Sequence, residues 1–130
     1  MKNIILIFIF ISAFSSCSKD GESQIPENII GRWIWVESSG GIGGITETPT
    51  TTENEVIIEF SDNKCTKYLN GNVDFVLNYT IEKGNSILTQ EETELIIYEN
   101  GLKQSFKLDG QKLILFNECY DCFQNEYIKE

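Results

Sequence analysis

The stretch KCTKYLNGNVDFVLNYTI (residues 64–81) decides the fold. Two short runs that mix apolar and polar residues are joined by Asn70-Gly71. An Asn-Gly pair supplies the positive φ that both central residues of a type I′ turn require, so it reads as the tip of a β-hairpin. Side chains along a strand alternate between two faces. Val73, Phe75, Leu77 and Tyr79 therefore share one face of the second strand. The apolar spacing of an amphipathic helix is absent.

The same pattern continues in both directions. Residues 32–37 put Trp33 and Trp35 on one face, with Ile34 and Val36 on the other. Residues 55–60 alternate Val56, Ile58 and Phe60 with Glu55, Ile57 and Glu59, and Ser61-Asp62-Asn63 turns the chain into the hairpin. Beyond it, Glu82-Lys83-Gly84-Asn85 reads as a turn into a strand at 86–90, followed by a strand at 93–98 and the turn Asn100-Gly101. Residues 102–108 align Leu102, Gln104, Phe106 and Leu108; Asp109-Gly110 leads to a strand at 112–116, and a last strand covers 123–128.

Short strands joined by tight turns are antiparallel neighbours in sequence order. An open sheet of them would leave edge N–H and C=O groups unpaired, and closure removes the edges. The expected fold is all-β: a small antiparallel up-and-down β-barrel of about eight strands over residues 29–130. With strands of about six residues, the interior can be filled by Trp33, Phe60, Phe75, Phe106 and Phe116, or it can hold a cavity.

One connection is long. Residues 38–54 (SSGGIGGITETPTTTEN) form a stretch of a length that is uncommon inside a compact domain and often functional. Its glycines allow close approach to other backbone, and Ile42 and Ile45 give it something to bury. It is expected to fold over one mouth of the barrel; the alternative is an unattached insertion.

The N-terminus has a different character. Met1-Lys2-Asn3 is positive, IILIFIFI (residues 4–11) is apolar, and small residues precede Cys17. This is the layout of a cleavable signal peptide, residues 1–16. The apolar run falls short of the roughly 20 residues that span a bilayer. Phe14-Ser15-Ser16-Cys17 resembles the cleavage box of bacterial lipoproteins. That resemblance implies a thioether-linked diacylglycerol on Cys17, cleavage before it and acylation of the new amine. Each buried methylene contributes about 0.8 kcal/mol, so two or three acyl chains anchor stably. The alternative is an ordinary signal beside a chance cysteine.

Residues 17–28 then form the lipidated N-terminus and a polar, flexible tether. Ser18, Lys19, Asp20 and Glu22 resemble the acidic tag that follows the lipidated cysteine where Gram-negative phyla display lipoproteins on the cell surface. The implied location is the outer membrane, lipid-anchored and exposed on the cell surface. A solvated spacer facing the periplasm explains the same residues.

Gly31-Arg32-Trp33 at the start of the first strand resembles the lipocalin signature. The opening GRWIWVESSGGIGG (residues 31–44), Thr48-Pro49 and a Cys-rich segment before the final strand are similar to the lipocalin-like domains of Gram-negative lipoproteins. The resemblance implies a barrel that binds small hydrophobic molecules. It also implies a tryptophan that caps the closed end beneath a late arginine. No arginine follows Arg32, and Lys129 lacks the planar group that stacks.

Composition narrows the chemistry. Twenty acidic residues against ten basic ones give a net charge of -10. Such a surface repels phosphate backbones, so no nucleic-acid partner is expected. There is no histidine, which removes the commonest general base and metal ligand. Of four cysteines, Cys17 is assigned to lipid, leaving Cys65, Cys119 and Cys122. A redox Cys-x-x-Cys should open a helix, whereas Cys119-Tyr120-Asp121-Cys122 lies between strands and beside Glu118. Half a zinc site would need Cys65 and a carboxylate to complete it. A disulfide across the final loop is the expected reading; proximity favours Cys119–Cys122, and a bridge to Cys65 is the alternative.

Glu91, Glu92 and Glu94, and Glu53 with Glu55, could pair for glycoside hydrolysis, but charged residues in turns read as a solvated face. Calcium-loop and phosphate-loop patterns are absent. No cofactor, no metal and no enzymatic activity are expected. Two readings remain. One is a membrane-anchored module holding a small hydrophobic ligand with Trp35, Tyr79, Tyr98, Ile42 and Ile45. The other is a filled barrel that presents residues 38–54 to an envelope protein partner, as an inhibitor or a complex subunit. An open interior favours the first and a packed one the second.

Overall fold

The computed structural model describes residues 29–130; the expected signal peptide, the lipid site Cys17 and the tether to residue 28 lie outside the described residues. Nine strands and one helical turn follow in order: β1 (Gly31–Gly40), β2 (Ile45–Glu47), α1 (Pro49–Thr52), β3 (Val56–Phe60), β4 (Lys64–Leu69), β5 (Asn72–Asn85), β6 (Glu92–Tyr98), β7 (Lys103–Asp109), β8 (Lys112–Asn117) and β9 (Phe123–Lys129). Neighbours from β3 to β9 pair antiparallel in sequence order, β1 pairs with β3, and β9 returns to β1. The result is a closed eight-stranded antiparallel barrel, as expected. β2 is an addition to its wall. It pairs with Ser38–Gly40 of β1, beyond the part of β1 that β3 covers.

The hairpin that announced the fold forms as read, with φ of 51° at Asn70 and 81° at Gly71. Inward residues of every barrel strand meet in one core, in which Ile29, Trp33, Phe60, Ile96 and Leu113 are fully enclosed. Trp33 sits at the closed end, and its indole N–H donates to the Ile29 carbonyl at 2.8 Å. Lys129 covers it, with Nζ 4.9 Å from the ring centre. A point charge over a ring face needs no planar group.

Several expectations are corrected. Residues 82–85 are not a turn; they continue β5, and residues 86–90 are the turn rather than a strand. Gly84 belongs to the strand because a Cβ there would lie 3.1 Å from Leu95 Cδ1. Ser86 makes the turn: its Oγ accepts from the Leu88 and Thr89 amides, and Gln90 closes it with φ of 60°. Serine competes with the sheet ladder in this way wherever its hydroxyl can reach the next amides. Val73 leaves the inner face and is 59% exposed. A bulge opposite Lys67/Tyr68 inserts one residue into β5 and breaks the alternation there. Of the expected interior aromatics, Trp33 and Phe60 are buried, whereas Phe75, Phe106 and Phe116 are only partly so.

Residues 38–54 do not drape over the mouth. β1 runs on to Gly40, the chain turns back through Gly41–Gly44 into β2, and Thr48 caps the short α1 with Pro49 at its first position. Ile42 is 94% and Ile45 54% exposed, so neither is buried. The hairpin extends the wall because Gly40 allows it: a Cβ there would stand 2.6 Å from the Cys122 carbonyl oxygen. Only glycine lets the β8–β9 loop lie that close.

Candidate functional site at the barrel mouth

The end of the barrel away from Trp33 is not filled. A cavity of about 220 Å³ opens among residues of all strands from β3 to β9. Its apolar lining is Ile58, Phe75, Leu77, Leu102 and Leu115, with the Cys65 thiol. Its polar lining is Lys67, Tyr98, Gln104, Asn117, Asn125 and Tyr127. Alternation explains the set, since Cys65 and Lys67, Phe75 and Leu77, Leu115 and Asn117, and Asn125 and Tyr127 are each two apart on one strand face.

Two hydrogen-bonded chains organise the polar residues. Tyr98 donates its hydroxyl to Gln104 Oε1 at 2.7 Å, and Gln104 Nε2 donates to Asn117 Oδ1 at 2.7 Å. Trp35 Nε1 donates to Ser38 Oγ at 2.8 Å, and Ser38 donates to Asn125 Oδ1 at 2.5 Å. The second chain depends on a bulge in β1 between Trp35 and Glu37. The extra residue makes Ser38, three positions on, the next inward side chain after Trp35.

Burial keeps the site's weak acids protonated. It pushes the Cys65 thiol up to about 12, and raises Tyr98 and Tyr127 as well. Cys65 is therefore a thiol at neutral pH and no nucleophile. Lys67 is the one charged residue in the lining; it pairs with Asp74 at 3.1 Å and lies 5.7 Å from the Phe75 ring centre. No carboxylate lines the cavity.

Of the residues expected to bind ligand, Tyr98 is in the cavity wall. Trp35 is buried behind Ser38 and Asn125, and Tyr79 is buried with its hydroxyl on the Ser61 carbonyl at 2.5 Å. Ile42 and Ile45 are out on the β1–β2 hairpin and line no part of the cavity. Tyr79 and Tyr98 are register partners with ring centres 6.4 Å apart, but the structure does not bring all five side chains together. Asn117, Asn125 and Tyr127 were missed, although alternation within residues 123–128 places Asn125 and Tyr127 on one face, and extending β8 one step past residue 116 reaches Asn117.

Cys119 and Cys122 form a disulfide, and Cys65 is free and buried. The bridged loop borders an open groove of about 380 Å³ with Gly40, Leu88, Phe116 and Phe123. Glu53, Glu55, Glu91, Glu92 and Glu94 are all exposed, as a solvated face requires. Among the described residues no group of three His, Cys, Asp or Glu side chains could hold a metal ion, and no helix is long and apolar enough to cross a membrane. No protein-family model matches the chain, and comparison with curated proteins and with solved structures finds no match.

Proposed function

We propose that the chain is a lipid-anchored cell-envelope lipoprotein whose lipocalin-like barrel holds a small hydrophobic ligand at its open end. The observation that carries this reading is the cavity of about 220 Å³, open at the mouth and backed by a packed, capped end. Binding pockets combine apolar walls with a few placed polar groups, and this cavity has both. Lys129 over Trp33 supports the lipocalin likeness. The lipid on Cys17 and the place at the outer membrane, facing the cell surface, rest on the N-terminal sequence.

Native mass spectrometry of the full chain, exposed to an envelope lipid extract and released from nanodiscs, tests the binding. A discrete added mass that survives gentle activation supports it; the bare protein mass overturns it. Replacing Cys17 with serine should release the protein from the membrane fraction, and retention would overturn the anchor.

The exposure of Ile42 favours a second reading, in which the β1–β2 hairpin contacts an envelope protein partner. A photo-cross-linker at position 42 that captures one defined partner in intact cells supports that role, and capture of nothing counts against it.

A further inference from the structure

We infer that the mouth cavity selects a small organic carboxylate, held by hydrogen-bond donors among its polar lining residues. This rests on the reading of the cavity as a binding site and adds the head group that the site accepts.

The hydrogen bonds assign the amides. The Trp35 N–H occupies a lone pair of Ser38 Oγ, and Ser38 donates its O–H to Asn125 Oδ1. The Asn125 amide nitrogen therefore faces away from Ser38, and among the described residues it has no partner. Tyr98 donates its hydroxyl to Gln104 Oε1, which turns the Gln104 oxygen toward it. Gln104 then gives its nitrogen to Asn117, whose oxygen must accept, leaving the Asn117 nitrogen as a second free donor. Asn117 borders both the cavity and the disulfide groove.

Tyr127 is the third. It is 7% exposed, it lines the cavity, and its hydroxyl makes no hydrogen bond among the described residues. Among the described residues, no side-chain nitrogen or oxygen that is fully shut away lacks a partner. The Tyr127 hydroxyl must therefore border open space, and the cavity is the space its residue lines.

What the lining offers a ligand is thus two amide N–H groups and the Tyr127 phenol, with Lys67 nearby but already paired to Asp74 at 3.1 Å and each asparagine oxygen accepting one hydrogen bond. A chain of net charge -10 has placed no acid among these lining residues. Unpartnered donors suit an anionic acceptor, and charge-assisted hydrogen bonds are about twice as strong as neutral ones. The apolar lining residues take a short hydrocarbon or aryl group. The volume lies below the roughly 300–1,000 Å³ of drug-sized sites, so the acid is small.

The test is calorimetric titration of the full chain in nanodiscs with octanoate, octanol and octylamine, against empty nanodiscs. Octanoate should bind at least about tenfold more tightly than either neighbour of the same length. Asn125→Asp keeps an acceptor for Ser38 and replaces the donor with a negative oxygen; it should abolish the preference. Tyr127→Phe removes only an unpartnered hydroxyl and should weaken octanoate several-fold while sparing octanol. Equal binding of octanoate and octanol, or a preference that survives both substitutions, overturns the carboxylate assignment and leaves the cavity reading standing. No binding of any probe at millimolar concentration overturns both.

Discussion

Lys129 Nζ lies 4.9 Å from the centre of the Trp33 ring and 3.2 Å from the Ile30 carbonyl oxygen. Lys129 and Trp33 are also register partners across β9 and β1. One side chain of the last strand thus shuts the barrel over the first. A cation over an indole contributes about 0.5–2 kcal/mol depending on its desolvation. Lys129→Met should lower the unfolding free energy by about 1 kcal/mol, measured by urea titration, and Lys129→Arg should retain it. Equal stability of Met and wild type would show the contact to be idle.

A second clamp joins distant parts of the chain. The Glu118 carboxylate accepts from Ser86 Oγ at 2.9 and 3.0 Å and from the Ile87 amide at 2.7 Å. It ties the β5–β6 turn to the start of the β8–β9 loop, and Ser86 is buried at the joint. Hydrogen bonds to charged groups contribute about 1.5–3 kcal/mol. Glu118→Ala should cost about 2 kcal/mol and remove the hydrogen-exchange protection of the Ile87 amide. Glu118→Gln, with one acceptor oxygen left, should fall between. Unchanged protection at Ile87 in the alanine variant would contradict this.

The parts of this fold that were legible in the sequence are those set by neighbours in the chain. Asn70-Gly71 must turn, and Trp33, Ile58 and Phe60 must face inward, because φ preference and period-2 alternation act over a few residues. The parts that were not legible depend on single-residue offsets or remote contacts. The bulge that sets Ser38 against Trp35 adds one residue to β1 without any change of composition. Gly84 resembles turn chemistry until Leu95, from the next strand, occupies the place of its missing side chain. Gly40 resembles the start of a loose loop until the Cys122 carbonyl is seen against it. Aromatics and the loop isoleucines Ile42 and Ile45 carry the binding expectation in the sequence, whereas the polar lining of the cavity adds the amides Gln104, Asn117 and Asn125, which only the closed barrel brings together.

The bridge between Cys119 and Cys122 closes a very short loop, so its effect on the unfolded chain is modest, about 2 kcal/mol. Reduction should lower stability by about that amount without unfolding the barrel, because the core lies elsewhere. Alkylation of the reduced native protein should then mark Cys119 and Cys122 and spare Cys65, which is 2% exposed and whose thiol is held protonated. Labelling of all three at equal rates would mean that reduction opens the barrel.

Alkaline pH should unfold this protein in a defined window. Burial pushes Cys65 from an ordinary value of 9.0 to about 12 and Tyr79 from 10.0 to about 12, and it raises Tyr98 and Tyr127. In the unfolded chain these groups release their protons at ordinary values, while the folded chain keeps them. Between about pH 9 and 12 the unfolded state therefore binds fewer protons, and the unfolding free energy falls as pH rises. The stabilising contribution is complete below the unfolded values and is lost by the folded ones. Urea midpoints measured from pH 8 to 11 should decline, with the fall beginning near the thiol's ordinary value. Cys65→Ala should delay the onset toward the tyrosine value of 10.0, whatever it does to absolute stability. A midpoint that stays level across the range would show that these groups are not desolvated, and with them the closed inner wall of the cavity would fall.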